Sequence, residues 1–309
     1  MKLDCKEDII QLTPLWKGER FPNGRPKVSD ELLKRISKTT IEEVWKPLYV
    51  NGYKYQFEGH LQRSNPDRDV LVGRAVTSVY MPIRPDVGEY MKKYAYEVEG
   101  RKGNYNQWPL DILVKDDVVI MDMYDKVREG CPLGGNLTTL IANKTEGCGA
   151  IVWGGVRDID QIKDIKSAQF YFRGTDPTPF METMLVGINV PCNIGMAVCM
   201  PGDVVLGTLG GVIFIPAHMA EECAIDAEKT HARDIWGFMR LHERKYTAAQ
   251  IDTAWEREMW EDFCDWFPKA KEAEPYRHLD FSQELDDARK GIVHTFQDQM
   301  RQAQQATRW

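Results

Sequence analysis

The spacing of hydrophobic positions changes several times along the chain, and each change predicts an element. Residues 1–28, which include TPLWKGERFPNGRPKV, follow neither a 3.6-residue nor a two-residue period and predict an extended N-terminal arm. From Ser29, a good helix N-cap, Leu32, Leu33 and Ile36 share one face; Thr40, Ile41, Val44 and Leu48 share a second, ended by Gly52. Two short amphipathic helices follow from this. VLVGRAVTSVYM (Val70–Met81) is a β-branched run with an internal glycine, as in a strand with a bulge or a close approach. The polar, tyrosine-rich stretch from Arg84 to Asp111 predicts a helix and an irregular loop.

In DDVVIMDM, which starts at Asp116, the apolar residues run without alternation, as in a strand buried on both faces. The loop EGCPLGGN follows. Leu137, Leu140 and Ile141 then recur at helical spacing, with Asn136 as the expected N-cap and Gly147 near the C-terminal cap. Ala150–Trp153 and Ala168–Phe172 are further short strands, separated by GGVRD. Strand, helix, strand at this spacing is a parallel crossover unit, which places the chain in the α/β class. Apolar runs cut by Pro and Gly between Met184 and Pro216 supply an antiparallel or mixed half of the sheet, and a long helix from Ala217 to Leu241 closes the domain. In the tail, Ile251, Trp255, Met259 and Phe263 fall on one helical face that must be buried. The expected division is an arm (1–28), an α/β domain (29–245) and a helical extension (246–309).

Composition narrows the partners. With 40 Lys and Arg against 47 Asp and Glu, interspersed, the net charge of −7 argues against a nucleic-acid surface and for a small-molecule or protein partner. Seven cysteines, none in a C-x-x-C pair, encode neither a disulfide framework nor a zinc cluster and suit a reducing cytoplasm. MKLDCKEDII lacks the apolar core of a signal peptide, so no export is expected. Met184–Ala220 has Asp203 as its sole charge, but its prolines and asparagines divide it into strand-sized pieces rather than a membrane span.

In an open α/β sheet, ligands bind at the carboxyl ends of the strands, here the loops GGN and GGVRD. A helix starting at Asn136 would offer the N–H groups of Leu137, Thr138 and Thr139 to an anion. Arg157 beside Asp158 sets a carboxylate-binding guanidinium next to a hard oxygen ligand, the pair needed to hold a carboxylate substrate and Mg²⁺. The residues equally allow a plain cap and a surface ion pair.

The ordered motifs resemble the family shared by the regulator of ribonuclease activity A and the 4-hydroxy-4-methyl-2-oxoglutarate/4-carboxy-4-hydroxy-2-oxoadipate aldolases. They are GGN (Gly134, Gly135, Asn136), RD (Arg157, Asp158), LVGRAVT (Leu71–Thr77), FRGTDP (Phe172–Pro177), INVPCNIG (Ile188–Gly195) and PGDVV with GGVIFIP (Pro201–Pro216), and they span roughly Ser29 to Leu241. The resemblance implies an α/β sandwich with a swivelling-domain-like (phosphohistidine-domain-like) core, assembled as homotrimers or hexamers with sites between subunits. It also implies a class II lyase, an aldolase or decarboxylase using Mg²⁺ or Mn²⁺ to split a 2-oxo or 4-hydroxy-2-oxo acid to pyruvate through an enolate. By position, Asp158 would be the metal ligand, and Arg157 would stabilise the enolate oxygen. Gly135, Leu137 and Thr138 would line the pyruvyl carboxylate.

Two positions depart from the family. Asn136 stands where the aldolases carry an aspartate; it can accept a hydrogen bond from a water but brings no charge and no base. Gly207 stands where relatives often place an aspartate, and Glu221, Glu222 and Glu228 are candidates for the acid an adjacent subunit would lend. Arg173 could bind a distal substrate carboxylate unless Asp176 neutralises it. His60, beside Glu58, reads as a solvated loop histidine; His218, His231 and His242 lack the spacing of a helical metal site. The alternatives carried forward are a non-catalytic ring-shaped binding protein, and a hydrolysis or isomerisation in the same pocket.

Overall fold

The computed structural model describes residues 2–292, 295 and 298–301. These divide into two compact units. One comprises the residues up to Ile41 together with Tyr55–Ala220; the other comprises Glu42–Lys54 and the residues from Glu221 on.

The first unit opens with α1 (Lys6–Leu12), so the arm expected to be extended contains a helix, whose Ile9 is buried. Helix α2 (Asp30–Ile36) begins where the sequence places it: the Ser29 side chain accepts a hydrogen bond from the Leu32 N–H. Helix α3 (Ile41–Val50) runs on from there into the second unit. The short strands β1 (Phe57–Glu58) and β2 (Gln62–Arg63) precede β3 (Leu71–Pro82), α4 (Pro85–Glu97) and α5 (Trp108–Asp111). After them come β4 (Asp117–Lys126), α6 (Gly135–Lys144), β5 (Gly149–Val156), α7 (Ile159–Ile162) and β6 (Gln169–Thr175). The unit ends with β7 (Thr183–Ile188), β8 (Cys192–Ile194), β9 (Ala197–Cys199), β10 (Val204–Thr208) and β11 (Gly211–Ile215).

Strands β3, β4, β5 and β6 form a parallel core, and β10, β11, β1, β2 and β7 join it antiparallel. The mixed sheet is therefore the one predicted. Alternate residues of β4 feed its two faces: Val119, Met121 and Met123 enter the layer that contains Leu137 and Ile141 of α6, while Val118 and Ile120 enter the layer that contains Tyr171, Val205 and Phe214. The glycine inside β3 is required by a close approach, since a Cβ at Gly73 would lie 2.6 Å from the Asp116 carbonyl oxygen. The same reasoning accounts for Gly207, where a Cβ would sit 2.8 Å from the Tyr171 ring. An aspartate would displace that ring.

Asp203, in the turn before β10, is fully buried; its carboxylate accepts the Met200 N–H at 2.8 Å. Burial pushes its carboxyl up to about 7, against backbone bonds from Met200 and Ala217 that pull it down. Between the ordinary value of 3.8 and about 7 the folded chain therefore holds a proton that the unfolded chain has released. Stability falls as the pH rises through that window, by on the order of a few kcal/mol. Urea unfolding at about pH 5 and about pH 7.5 is expected to show this decline in the native chain and a much flatter response in Asp203→Asn. Equal slopes would mean that Asp203 does not carry it.

The second unit contains α8 (Ala220–His242), α9 (Ala248–Ile251), α10 (Arg257–Trp266) and α11 (Ser282–Arg289). The single tail helix expected through Ile251, Trp255, Met259 and Phe263 is broken between Ile251 and Arg257. Those four side chains nevertheless meet in one cluster with Trp236, Trp260, Phe267 and Phe281. Trp309 lies outside the described residues. The expected boundary near residue 245 is not where the units divide, because α8 supplies Ala232 and Trp236 to the tail's own core.

Candidate active site

Two loops after parallel strands meet at the start of α6. The Leu133 carbonyl accepts the Arg157 N–H at 3.1 Å, and Leu133 bridges to Val156, so the segment before the helix is pinned to the end of β5. Gly134, not Asn136, is the N-cap, with extended backbone and no side-chain cap. Asn136 is instead exposed in the first turn. Gly134 leaves room at the helix end: a Cβ there would lie 2.5 Å from Asp158 Oδ2 and 3.1 Å from Arg157 Nε, so a larger residue would push both side chains away from it.

Asp158 adopts a left-handed backbone (φ 58°), which turns its carboxylate back over the helix N-terminus, where Oδ2 accepts the Gly135 N–H at 3.1 Å. Asp158 thus caps α6 from another loop. Arg157 Nη1 stands 3.8 Å from the same oxygen, and both side chains are partly exposed. One expectation needs correction: the Thr138 N–H donates to the Gly134 carbonyl at 3.1 Å as the first bond of the helix, and Thr139 lies one residue further in. Among the described residues, the N–H groups left without a protein partner at this end are those of Asn136 and Leu137.

Arg173 does not join this group. Its Nε donates to Asp125 Oδ1 at 2.8 Å, its Nη1 to the His60 carbonyl, and its guanidinium lies 4.5 Å over Trp153, in the layer opposite α6. Asp176, the partner expected for it, instead bonds Thr178, which holds its carboxyl below the usual range. No sequence pattern announced Asp125, which reaches Arg173 across strands and sits in a left-handed stretch where β4 loses register with β5. Glu58 accepts from both the backbone and the ring of His60, whose side chain remains 86% exposed. Glu222 bonds Asn51, and Glu228 bonds His278, within the second unit. Cys131 is buried near the site, and burial pushes its thiol up to about 11, away from the thiolate form.

Residues 26–214 match the model of the RraA-like family, described as Aldolase/RraA. The chain belongs to that family. A putative 4-hydroxy-4-methyl-2-oxoglutarate aldolase of Halalkalibacterium halodurans is 29% identical over 118 residues, which cover 38% of this chain and 55% of that protein. The match thus spans about half the length of that curated relative. Among solved structures, RraAS2 of Streptomyces coelicolor, an unusual member of the RNase ES inhibitor RraA family, superposes with a TM-score of 0.57 at 21% identity, over 69% of this chain and all of that one. An uncharacterized protein from Pseudomonas syringae gives 0.56 at 17% identity, over 73% of this chain and 98% of that one. These likenesses show the mixed α/β fold, and the helices of the C-terminal region, α8 to α11, are seen in this chain's own structure. The family includes aldolases, which are generally metal-dependent. No helix among the described residues is long and apolar enough to cross a membrane.

Among the described residues no three His, Cys, Asp or Glu side chains gather into a metal cage. Asp158 offers one carboxylate oxygen, Oδ1, that accepts no hydrogen bond from the described residues. That donor set fits a hydrated Mg²⁺, which keeps several waters and takes one or two carboxylates plus substrate oxygens.

Proposed function

We propose that this chain is a carbon–carbon lyase acting on a 2-oxo or 4-hydroxy-2-oxo acid, by aldol cleavage or decarboxylation, with a divalent ion at Asp158. The observation that carries the reading is one juxtaposition: the Arg157 guanidinium, the Asp158 carboxylate and the two unpartnered N–H groups of Asn136 and Leu137 converge at the start of α6. The N–H groups and the positive end of the helix would receive the substrate carboxylate. Arg157 would face the keto oxygen, where negative charge develops as the carbon–carbon bond breaks, and would stabilise it as a preorganised donor. Asp158 would hold the ion through Oδ1 while Oδ2 keeps the loop closed on Gly135. When bound, the ion would supply Lewis-acid stabilisation of the same charge.

The neutral amide of Asn136 can orient a water but cannot take its proton. A distal substrate carboxylate would not be met by Arg173, which is already engaged by Asp125 and Trp153. Assembly into trimers or hexamers belongs to the same reading and would bring the missing acid from a second copy. The test is pyruvate release from oxaloacetate and from 4-hydroxy-4-methyl-2-oxoglutarate with Mg²⁺, with Mn²⁺ and with EDTA. Metal-dependent release, lost in Asp158→Ala and raised several-fold in Asn136→Asp, is the expected result. Silence of the native chain and of both variants would overturn the reading in favour of a binding protein.

A further inference from the structure

Strands β8 and β9 form a two-stranded ladder apart from the main sheet, joined by a two-residue turn whose first residue, Gly195, has φ 61°. A glycine at that position fixes a tight hairpin, and a tight hairpin fixes its register. In that register Cys192 stands directly opposite Cys199. Side chains of directly opposed residues lie on the same face, and their Cα atoms stand about 4.5 or about 5.5 Å apart, depending on the kind of pair. Both separations fall within the range a disulfide requires. Both are free cysteines, buried at 3% and 0% exposure, in the layer that also holds Ile194 and Ala197. The other five cysteines lie outside strands, none facing another across a ladder.

We propose that Cys192 and Cys199 are a disulfide-forming site that locks the β8–β9 hairpin when a low-molecular-weight disulfide is present. In the first step one protein thiolate attacks a sulfur of the oxidant and expels one small thiolate. In the second step the other protein thiolate attacks the mixed disulfide and expels the second. Two protein thiols are oxidised, the small disulfide is reduced to two thiols, and the protein protons leave with them. Burial, and the neighbouring Cys192 thiol, hold the Cys199 thiol well above its ordinary value. The exchange is therefore slow in the closed hairpin and is reached by local opening, which a ladder of three residues a side permits. The hairpin also presents the Asn193 N–H to Asp122 at 3.3 Å and the Met196 N–H to Glu58 at 3.4 Å, so the lock would hold both carboxylates in place.

Met196 lies between the two cysteines, which gives a direct test. The full chain is incubated with oxidised glutathione at mildly alkaline pH, remaining thiols are blocked with N-ethylmaleimide, and the chain is cut after methionine with cyanogen bromide. Fragments Leu185–Met196 and Ala197–Met200 are expected to remain joined, lighter than their sum by two hydrogens, and to part on reduction. Recovery of the two fragments separately, each carrying N-ethylmaleimide or glutathione, would overturn the proposal. So would their linkage to any of the other five cysteines.

Discussion

Arg157→Ala is expected to lower kcat for oxo-acid cleavage by about 10²–10³-fold, the usual effect of removing one preorganised donor from a developing oxyanion. KM should change far less, because the substrate carboxylate would still be held by the Asn136 and Leu137 N–H groups. The fold should be indifferent to the change. The Arg157 side chain is 42% exposed, its ion-pair contact is Asp158 at 3.8 Å, and the bond that pins the loop runs from its backbone N–H to Leu133, which alanine retains. A circular dichroism spectrum and a melting midpoint like those of the native chain, together with collapsed turnover, would place Arg157 at the reacting atoms. Turnover unchanged with the same fold would remove the central element of the lyase reading. The measurement separates that reading from the fold assignment, which rests on other residues.

Much of this site was legible in the sequence because its parts are local. A glycine pair before a helical run, and an Arg-Asp pair just after a buried strand, mark strand ends in a parallel sheet, and Gly134, Arg157 and Asp158 do meet there. What escaped was which atom does the capping. Asn136 has the chemistry of an N-cap, but Asp158, more than twenty positions away, reaches the helix end first, and Gly134 is small enough to admit it. Propensity favoured the near residue; tertiary geometry used the far one. The break in the tail helix was hidden for a related reason. Ile251, Trp255, Met259 and Phe263 hold a helical spacing across it, since burial around Trp236 constrains where side chains end up and not whether the backbone between them is continuous. Arg173 follows the expected strand Ala168–Phe172, which suggests a loop position near a substrate, yet it lies within β6 with its guanidinium over Trp153, in the layer opposite α6.

The N-terminal arm hides the largest stability effect. Spacing alone predicts no more than an extended arm, but Arg25 is buried to 1% exposure and its two terminal nitrogens bond both oxygens of Asp117 at 2.7 and 2.8 Å, with the Phe21 ring 4.5 Å beneath. Asp117 opens β4 and also accepts the Val114 N–H at 2.9 Å, so this pair ties the arm to the first central strand. Burial pushes the Asp117 carboxyl up despite the attraction of Arg25, which means that desolvation outweighs the pairing. The intact pair should therefore contribute little net stability, while removal of one partner should be severe. Asp117→Ala leaves the buried guanidinium without the carboxylate that bonds both its terminal nitrogens and is expected to cost about 3–5 kcal/mol. Arg25→Met combined with Asp117→Leu removes both charges at similar volume and should recover most of that loss. Denaturant unfolding of Arg25→Met, of Asp117→Leu and of the double variant closes the cycle, with Asp117→Ala as the reference for a buried guanidinium that has lost its partner. A double variant that recovers nothing and stays as unstable as Asp117→Ala would show the pair to be strongly stabilising in its own right, and attraction would then outweigh burial.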